Sequence, residues 1–184
     1  TGDKVVNLPN IITLGRFLLI IPFAYYFLNL EIQISLLIFA IITLSDKLDG
    51  ISARLMNQKT ELGSGLDSFT DWTVIFVTFM LFVVKNYISA FWVVLLIIPS
   101  IISGVMKMTY AKRLKIVPVT FIARLSVGLT YITILSILIN FRYEFYLLIA
   151  AVSMTYLSMV IYAIKTFSLP KNPIAKKKTA KAAS

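Results

Sequence analysis

The sequence predicts an all-α integral membrane protein: six transmembrane helices with a short N-terminal interfacial segment before them. Of its 184 residues, 59% are hydrophobic and 14% charged. Mean hydropathy is +0.88, far from the soluble balance in which about a quarter of residues are charged. The apolar residues fall in six stretches, near 9–30, 33–57, 62–86, 88–113, 118–140 and 144–167. Each is close to the roughly 20 residues that a hydrocarbon core about 30 Å thick requires. Residues 1–168 form one six-helix domain on this reading, and 169–184, with Pro170, Pro173 and a lysine run, form a basic, flexible tail suited to anionic lipid.

The first helix opens at Leu8-Pro9-Asn10-Ile11, where proline sits in the first turn, and Lys4 and Asn7 ahead of it mark the interfacial segment. Thr1-Gly2-Asp3, without Met or a cleavable signal pattern, reads as a processed end. The second and third helices each carry acids at one end. Leu37 to Leu44 is uncharged before Asp46, and Thr73 to Val84 is uncharged after Asp71. Their polar ends therefore meet at one membrane level, and the linker Asn57-Gln58-Lys59-Thr60-Glu61 folds them into an antiparallel hairpin in which Gly63 and Gly65 allow close approach. In the fourth helix Ser100, Ser103 and Gly104 suggest tight packing. The fifth carries Arg124 inside its first turns. The aromatic runs Phe23-Ala24-Tyr25-Tyr26-Phe27, in the first helix, and Phe141-Arg142-Tyr143-Glu144-Phe145, entering the sixth, read as interfacial belts. With six spans, every Lys and Arg except Lys85 and Arg142 falls on one side, which sets both termini and the aspartates on the cytoplasmic face.

The chain has no Cys and no His. That excludes disulfides, thiolate or imidazole metal ligands, Ser-His and Cys-His nucleophile pairs and a histidine base. The net charge is +10, but the basic residues lie in short segments between apolar runs and not along one soluble face. The anionic partner is then lipid headgroup or phosphate, and not nucleic acid.

Four of the five aspartates, Asp46, Asp49, Asp67 and Asp71, lie in one short region of this oily chain. An ionised carboxylate in a membrane costs on the order of several kcal/mol unless a cation or water compensates. Asp46 and Asp49 are i,i+3 and Asp67 and Asp71 are i,i+4, so each pair shares a helix face with Cβ atoms roughly 5–6 Å apart. Carboxylate oxygens without Cys or His suit two divalent cations, Mg²⁺ or Mn²⁺, about 3.5–4 Å apart, an arrangement that polarises phosphates. Gly50 leaves room beside them, and Arg54 offers a fork of donors to a phosphate. Two rival readings exist. Pairing with Lys47 and Arg54 would make the acids helix glue, but four acids in register with the glycines and arginine exceed that need. An ion pathway would make the chain a cation transporter, yet no acid marks a path across the rest of the bilayer. A second basic group, Lys107, Lys112, Arg113 and Arg124, suggests a phosphorylated second substrate. Lys107, Arg113 and Arg124 are the candidate acceptor-phosphate residues, with Arg124 foremost because it lies deeper than a topology anchor needs to.

Asp46-x-x-Asp49-Gly50-x-x-Ala53-Arg54, eight residues, then Gly63-x-x-x-Asp67-x-x-x-Asp71, resembles at every defined position the hallmark of the CDP-alcohol phosphotransferase family of membrane enzymes. The opening Leu8-Pro9-Asn10-Ile11-Ile12-Thr13-Leu14-Gly15-Arg16 is similar to its phosphatidylglycerophosphate synthase branch. The resemblance implies transfer of a substituted phosphate from a CDP-alcohol such as CDP-diacylglycerol to an acceptor hydroxyl, with release of CMP. It implies Asp46, Asp49, Asp67 and Asp71 as metal ligands, Asp71 also as general base, and Asn10, Thr13, Gly50, Ala53, Arg54, Thr60 and Gly63 at the CDP-alcohol site. It further implies a homodimer in the cell membrane of a prokaryote, with glycerol 3-phosphate as acceptor. Asp67-Ser68-Phe69-Thr70-Asp71-Trp72 departs from the Asp-Pro-Leu-Ala-Asp-Lys usual in glycerophosphate-using members, and Ala123-Arg124 replaces a more usual Gly-Lys. Inositol phosphate, phosphatidylglycerol and serine are the alternative acceptors, and archaeal-type lipid chains an alternative in the donor.

Overall fold

A computed structural model describes the backbone of residues 8–55, 61–114 and 120–168, and the side chains of 11–46, 68–109 and 120–168. The interfacial segment, the 57–61 linker apart from Glu61, and the basic tail lie outside the described residues. All regular structure there is helical: α1 (Leu8–Leu28), α2 (Ile32–Leu55), α3 (Glu61–Val84), α4 (Ala90–Leu114), α5 (Phe121–Leu138) and α6 (Glu144–Phe167). Each expected helix is present, with ends shifted by a few residues at most.

Three of the helices stop in the same way. Beyond α1, α3 and α5 a non-glycine residue takes the left-handed conformation: Leu30 (φ 65°), Asn86 (φ 59°) and Asn140 (φ 53°). The next amide then reaches back five residues, Glu31 to the Tyr26 carbonyl (3.0 Å), Tyr87 to Phe82 (2.9 Å) and Phe141 to Ser136 (2.8 Å). This closure satisfies helix-end carbonyls that would otherwise lack partners, and asparagine bears the left-handed geometry at low cost. The following helix begins within a few residues in every case.

Four of the described helices are long and apolar enough to cross a membrane, through Ile11–Leu28, Ala90–Thr109, Phe121–Leu138 and Glu144–Phe167. Helices α2 and α3 have 24 residues each, about 36 Å of helix. Within their described side chains the apolar stretches are Ile32–Asp46 and Ser68–Val84. The expectation of six spans is thus met in helix number and, by length and composition, in four of the six.

The chain divides into two compact units, Thr1–Ser89 and Ala90–Ser184. In the first, α1 packs against both α2 and α3. The turn of the expected α2–α3 hairpin lies outside the described residues; among the described residues the extensive packing runs from α1 to each of the two, so α1 joins the acidic helices. Phe23 and Phe27 of α1, Phe39 and Ile42 of α2, and Val74, Phe79 and Phe82 of α3 are buried. Phe23 meets Phe39 with ring centres 5.7 Å apart, and Phe27 meets Phe82 at 5.5 Å and Tyr87 at 5.7 Å. Phe23 and Phe27 are therefore core residues and not an interfacial belt; being i,i+4 they share one face of α1, while Tyr25 is exposed. Phe27→Ala is expected to lower the unfolding free energy by about 3 kcal/mol. Thermal or SDS unfolding checks this against Leu28→Ala, whose exposed side chain should be nearly neutral.

In the second unit α6 packs on both α4 and α5. Ser126, Thr130, Thr133 and Ser136 of α5 and Thr155 and Ser158 of α6 are buried. The hydroxyls of Ser126, Thr130, Thr133, Ser136 and Thr155 return to carbonyls three or four residues back, within their own helices. Others tie helices together. Thr133 donates to the Leu147 carbonyl (3.1 Å) and Thr166 to the Met106 carbonyl (3.4 Å). Thr120 caps α5 by accepting from the Ala123 amide (3.2 Å), and its own amide donates to the buried Tyr162 hydroxyl (3.4 Å). Gly104 does not mark a tight crossing, since a methyl group added there would meet nothing within 4 Å.

Candidate active site

The first unit carries the aspartates. Asp46 and Asp49 lie one turn apart on α2, and Asp67 and Asp71 one turn apart on α3, the helical spacing expected for both pairs. Of the four side chains, those of Asp46 and Asp71 are described. Both are about one-third exposed or less, at 34% and 28%. They come from different helices and converge on a third, where the Arg16 guanidinium of α1 stands between them. Its Nη1 lies 2.5 Å from Asp46 Oδ1 and 3.1 Å from Asp71 Oδ1.

Local sequence explains why Arg16 is there. Helix α1 contains no acidic residue, so a cation inside its apolar run has to find counter-charge on other helices. The side chain is 1% exposed. A buried guanidinium is tolerated only when charge and hydrogen bonds are both supplied, and two carboxylates supply them. Thr13, one turn earlier on α1, is also buried, as is Thr70 beside Asp71. Phe17 stacks on Phe69 at 6.3 Å, a second contact between α1 and α3 that keeps their register near the ion pair. The Thr73 hydroxyl donates to the Phe69 carbonyl (2.8 Å), and Trp72 stacks on Phe76 at 5.1 Å, so the residues next to Asp71 are tied to their own helix.

Arg16 is the residue that sequence reasoning missed. By the positive-inside pattern it reads as an anchor, and in sequence Lys47 and Arg54 are the cations nearest the acids. The available signal was a cation two turns inside an apolar run whose own helix has no acid.

Thr13 is brought to the same helix as Arg16. The side chains of Asn10, Asp49, Gly50, Ala53, Arg54, Gly63, Asp67 and Arg113 and all of Thr60 lie outside the described residues. Lys107 near the end of α4 and Arg124 belong to the second unit; Arg124 lies in the first turn of α5 and is exposed, so it is not set deeper than an anchor as expected, because the helix begins at Phe121 and not at 118.

The described residues fit a hard cation. Two carboxylates from separate helices close on one positive group, and the described acidic groups there offer oxygen ligands, the kind a hard cation takes. Among the described side chains, which do not include those of Asp49 and Asp67, no group of three or more acids gathers.

Comparison with known proteins adds an independent finding. Residues 6–164 match the family model for CDP-alcohol phosphatidyltransferase. A protein named as a candidate cardiolipin synthase in Mycobacterium tuberculosis H37Rv is 29% identical over 129 residues, 67% of this chain and 60% of the relative. A CDP-diacylglycerol–glycerol-3-phosphate 3-phosphatidyltransferase of Wigglesworthia glossinidia brevipalpis is 28% identical over 167 residues, 85% of this chain and 88% of the relative. One of the same name from Aquifex aeolicus is 36% identical over 66 residues, 36% and 37% of the two chains. The chain thus spans 60% of the length of its mycobacterial relative.

Proposed function

Because the chain belongs to the CDP-alcohol phosphatidyltransferase family, we propose that it is an integral membrane enzyme that moves a phosphatidyl group from CDP-diacylglycerol, or a related CDP-alcohol, to an acceptor hydroxyl. The observation that carries this reading is the convergence of Asp46 and Asp71, from two helices, on one cation. It is the charge arrangement that a pyrophosphate-binding ion site needs.

In the proposed reaction the acceptor hydroxyl oxygen attacks the phosphorus that bears the lipid alcohol. The bond from that phosphorus to the bridging pyrophosphate oxygen breaks, and CMP leaves with its electron pair. Asp46, Asp49, Asp67 and Asp71 would hold two divalent ions, Mg²⁺ or Mn²⁺, whose charge offsets that of the pyrophosphate. Asp71 takes the hydroxyl proton. A carboxylate held against cations is a weak base, so the proton moves as the new P–O bond forms and the hydroxyl grows acidic. Gly50, Ala53, Arg54, Thr60 and Gly63, with Asn10 and Thr13 from α1, are assigned to the CDP-alcohol. Lys107, Arg113 and Arg124 are assigned to the acceptor phosphate. Residues 1–168 act as one catalytic domain, with both termini and the aspartates cytoplasmic by the positive-inside rule, in a homodimer in a prokaryotic cell membrane.

Glycerol 3-phosphate is the proposed acceptor, on the name of the Wigglesworthia relative, which this chain covers for 88% of its length. Phosphatidylglycerol is the second reading, favoured by the name of the mycobacterial relative. Mass spectrometry of the lipid formed from CDP-diacylglycerol, Mn²⁺ and a panel of acceptors decides between them. Phosphatidylglycerophosphate is the expected product; cardiolipin, phosphatidylserine or an inositol lipid would replace the acceptor assignment. Ion flux without any nucleotide requirement would favour a transporter.

A further inference from the structure

We infer that Arg16 is a built-in counter-cation of the aspartate cluster: it holds Asp46 and Asp71 together when divalent ions are absent and competes with those ions when they bind. The inference rests on the metal reading above and adds to it a role for a residue outside the Asp-Gly-Ala-Arg pattern.

Three observations carry it. The Arg16 side chain is 1% exposed, unlike a positive-inside anchor, whose head group belongs in water. A single nitrogen, Nη1, touches carboxylates on two different helices, Asp46 on α2 and Asp71 on α3. Helix α1 packs on both of those helices, so the ion pair lies at the junction that joins them. Without the guanidinium two carboxylates would face each other across α1, and like charges so placed repel. With it, the same oxygens Asp46 Oδ1 and Asp71 Oδ1 are engaged by a fixed charge. A divalent ion approaching them has to share those oxygens or displace the guanidinium, so its affinity is reduced by what Arg16 contributes. Packing of Phe17 on Phe69 and of Phe23 on Phe39 keeps α1 seated when the ion pair is altered.

The test is thermal unfolding of the purified full chain in detergent, first in EDTA and then across a Mn²⁺ titration. Arg16→Gln is expected to melt below wild type in EDTA. It should gain more than wild type from Mn²⁺, with the half-effect concentration lowered about tenfold, because a ligand-linked gain in stability follows affinity for the folded state. A Mn²⁺ gain and half-effect concentration equal to wild type, or a smaller gain, would overturn the competition while leaving the metal reading in place. No Mn²⁺ effect on either protein would overturn the metal reading and this inference with it. Should Arg16→Gln fail to fold, Arg16→Met reads the same quantity: it keeps an unbranched aliphatic stem and loses the charge. The same lowering of the half-effect concentration is then expected, and a wild-type value overturns the proposal.

Discussion

Asp71→Asn is expected to slow CMP release by about a thousandfold, the usual range for loss of a positioned general base, a loss that excess Mn²⁺ does not recover, while CDP-alcohol binding stays within a few fold of wild type and Mn²⁺ binding weakens as it does for Asp46→Asn. Asparagine keeps the size of the side chain and an oxygen able to accept from Arg16 Nη1, which lies 3.1 Å from Asp71 Oδ1. What it loses is the negative charge and the ability to take a proton. Three carboxylates remain for the ions, so binding is the smaller effect and turnover the larger. Asp46→Asn makes the informative comparison: as a ligand without the base role, it should raise the metal requirement, and excess Mn²⁺ should recover much of its rate. Rates of CMP release alongside equilibrium binding of nucleotide and metal separate the two variants. Near-normal turnover of Asp71→Asn with intact binding would remove Asp71 from proton transfer.

Stripping divalent ions is expected to abolish transfer. The leaving group is a phosphate already carrying negative charge, and more charge collects on it as the P–O bond breaks. Ions bound to the aspartates would contribute several kcal/mol of stabilisation there, which corresponds to about a thousandfold or more in rate. Arg16 cannot replace them, since its one charge is already shared between Asp46 and Asp71. After EDTA and removal of the chelator, adding Mg²⁺ or Mn²⁺ should restore the rate. A full rate in protein shown by elemental analysis to be free of divalent metal would exclude this use of the aspartates.

Much of this protein is readable from the chain because a membrane makes charge conspicuous. The six apolar runs gave helices in the expected places, and the acids that end the runs of α2 and α3 marked the candidate site. Which side chains meet across helices was less visible. Arg16 and its partners are 30 and 55 positions apart in sequence, so the depth of Arg16 in an acid-free apolar helix signals a need for counter-charge without naming the residues that supply it. Phe23 and Phe27 were misjudged because an aromatic run near a helix end has the composition of an interfacial belt. Their i,i+4 spacing, which sets both on the face toward α2 and α3, was the better guide. Gly104 was misjudged for the converse reason: a small residue permits close packing but does not require it.

The role of α1 follows from these same residues. It was read as an opening span with a few nucleotide contacts, yet it is the helix on which both acidic helices pack, and it supplies the cation between them. The ion pair is therefore at once a structural junction and part of the candidate active site.

The most direct measurement is acceptor-dependent release of CMP from CDP-diacylglycerol by the purified protein in detergent or vesicles with Mn²⁺. The proposed chemistry predicts CMP and a phosphatidyl product in equal amounts, both lost with Asp71→Asn. No CMP from any CDP-alcohol, in protein that is folded and binds Mn²⁺, would contradict it.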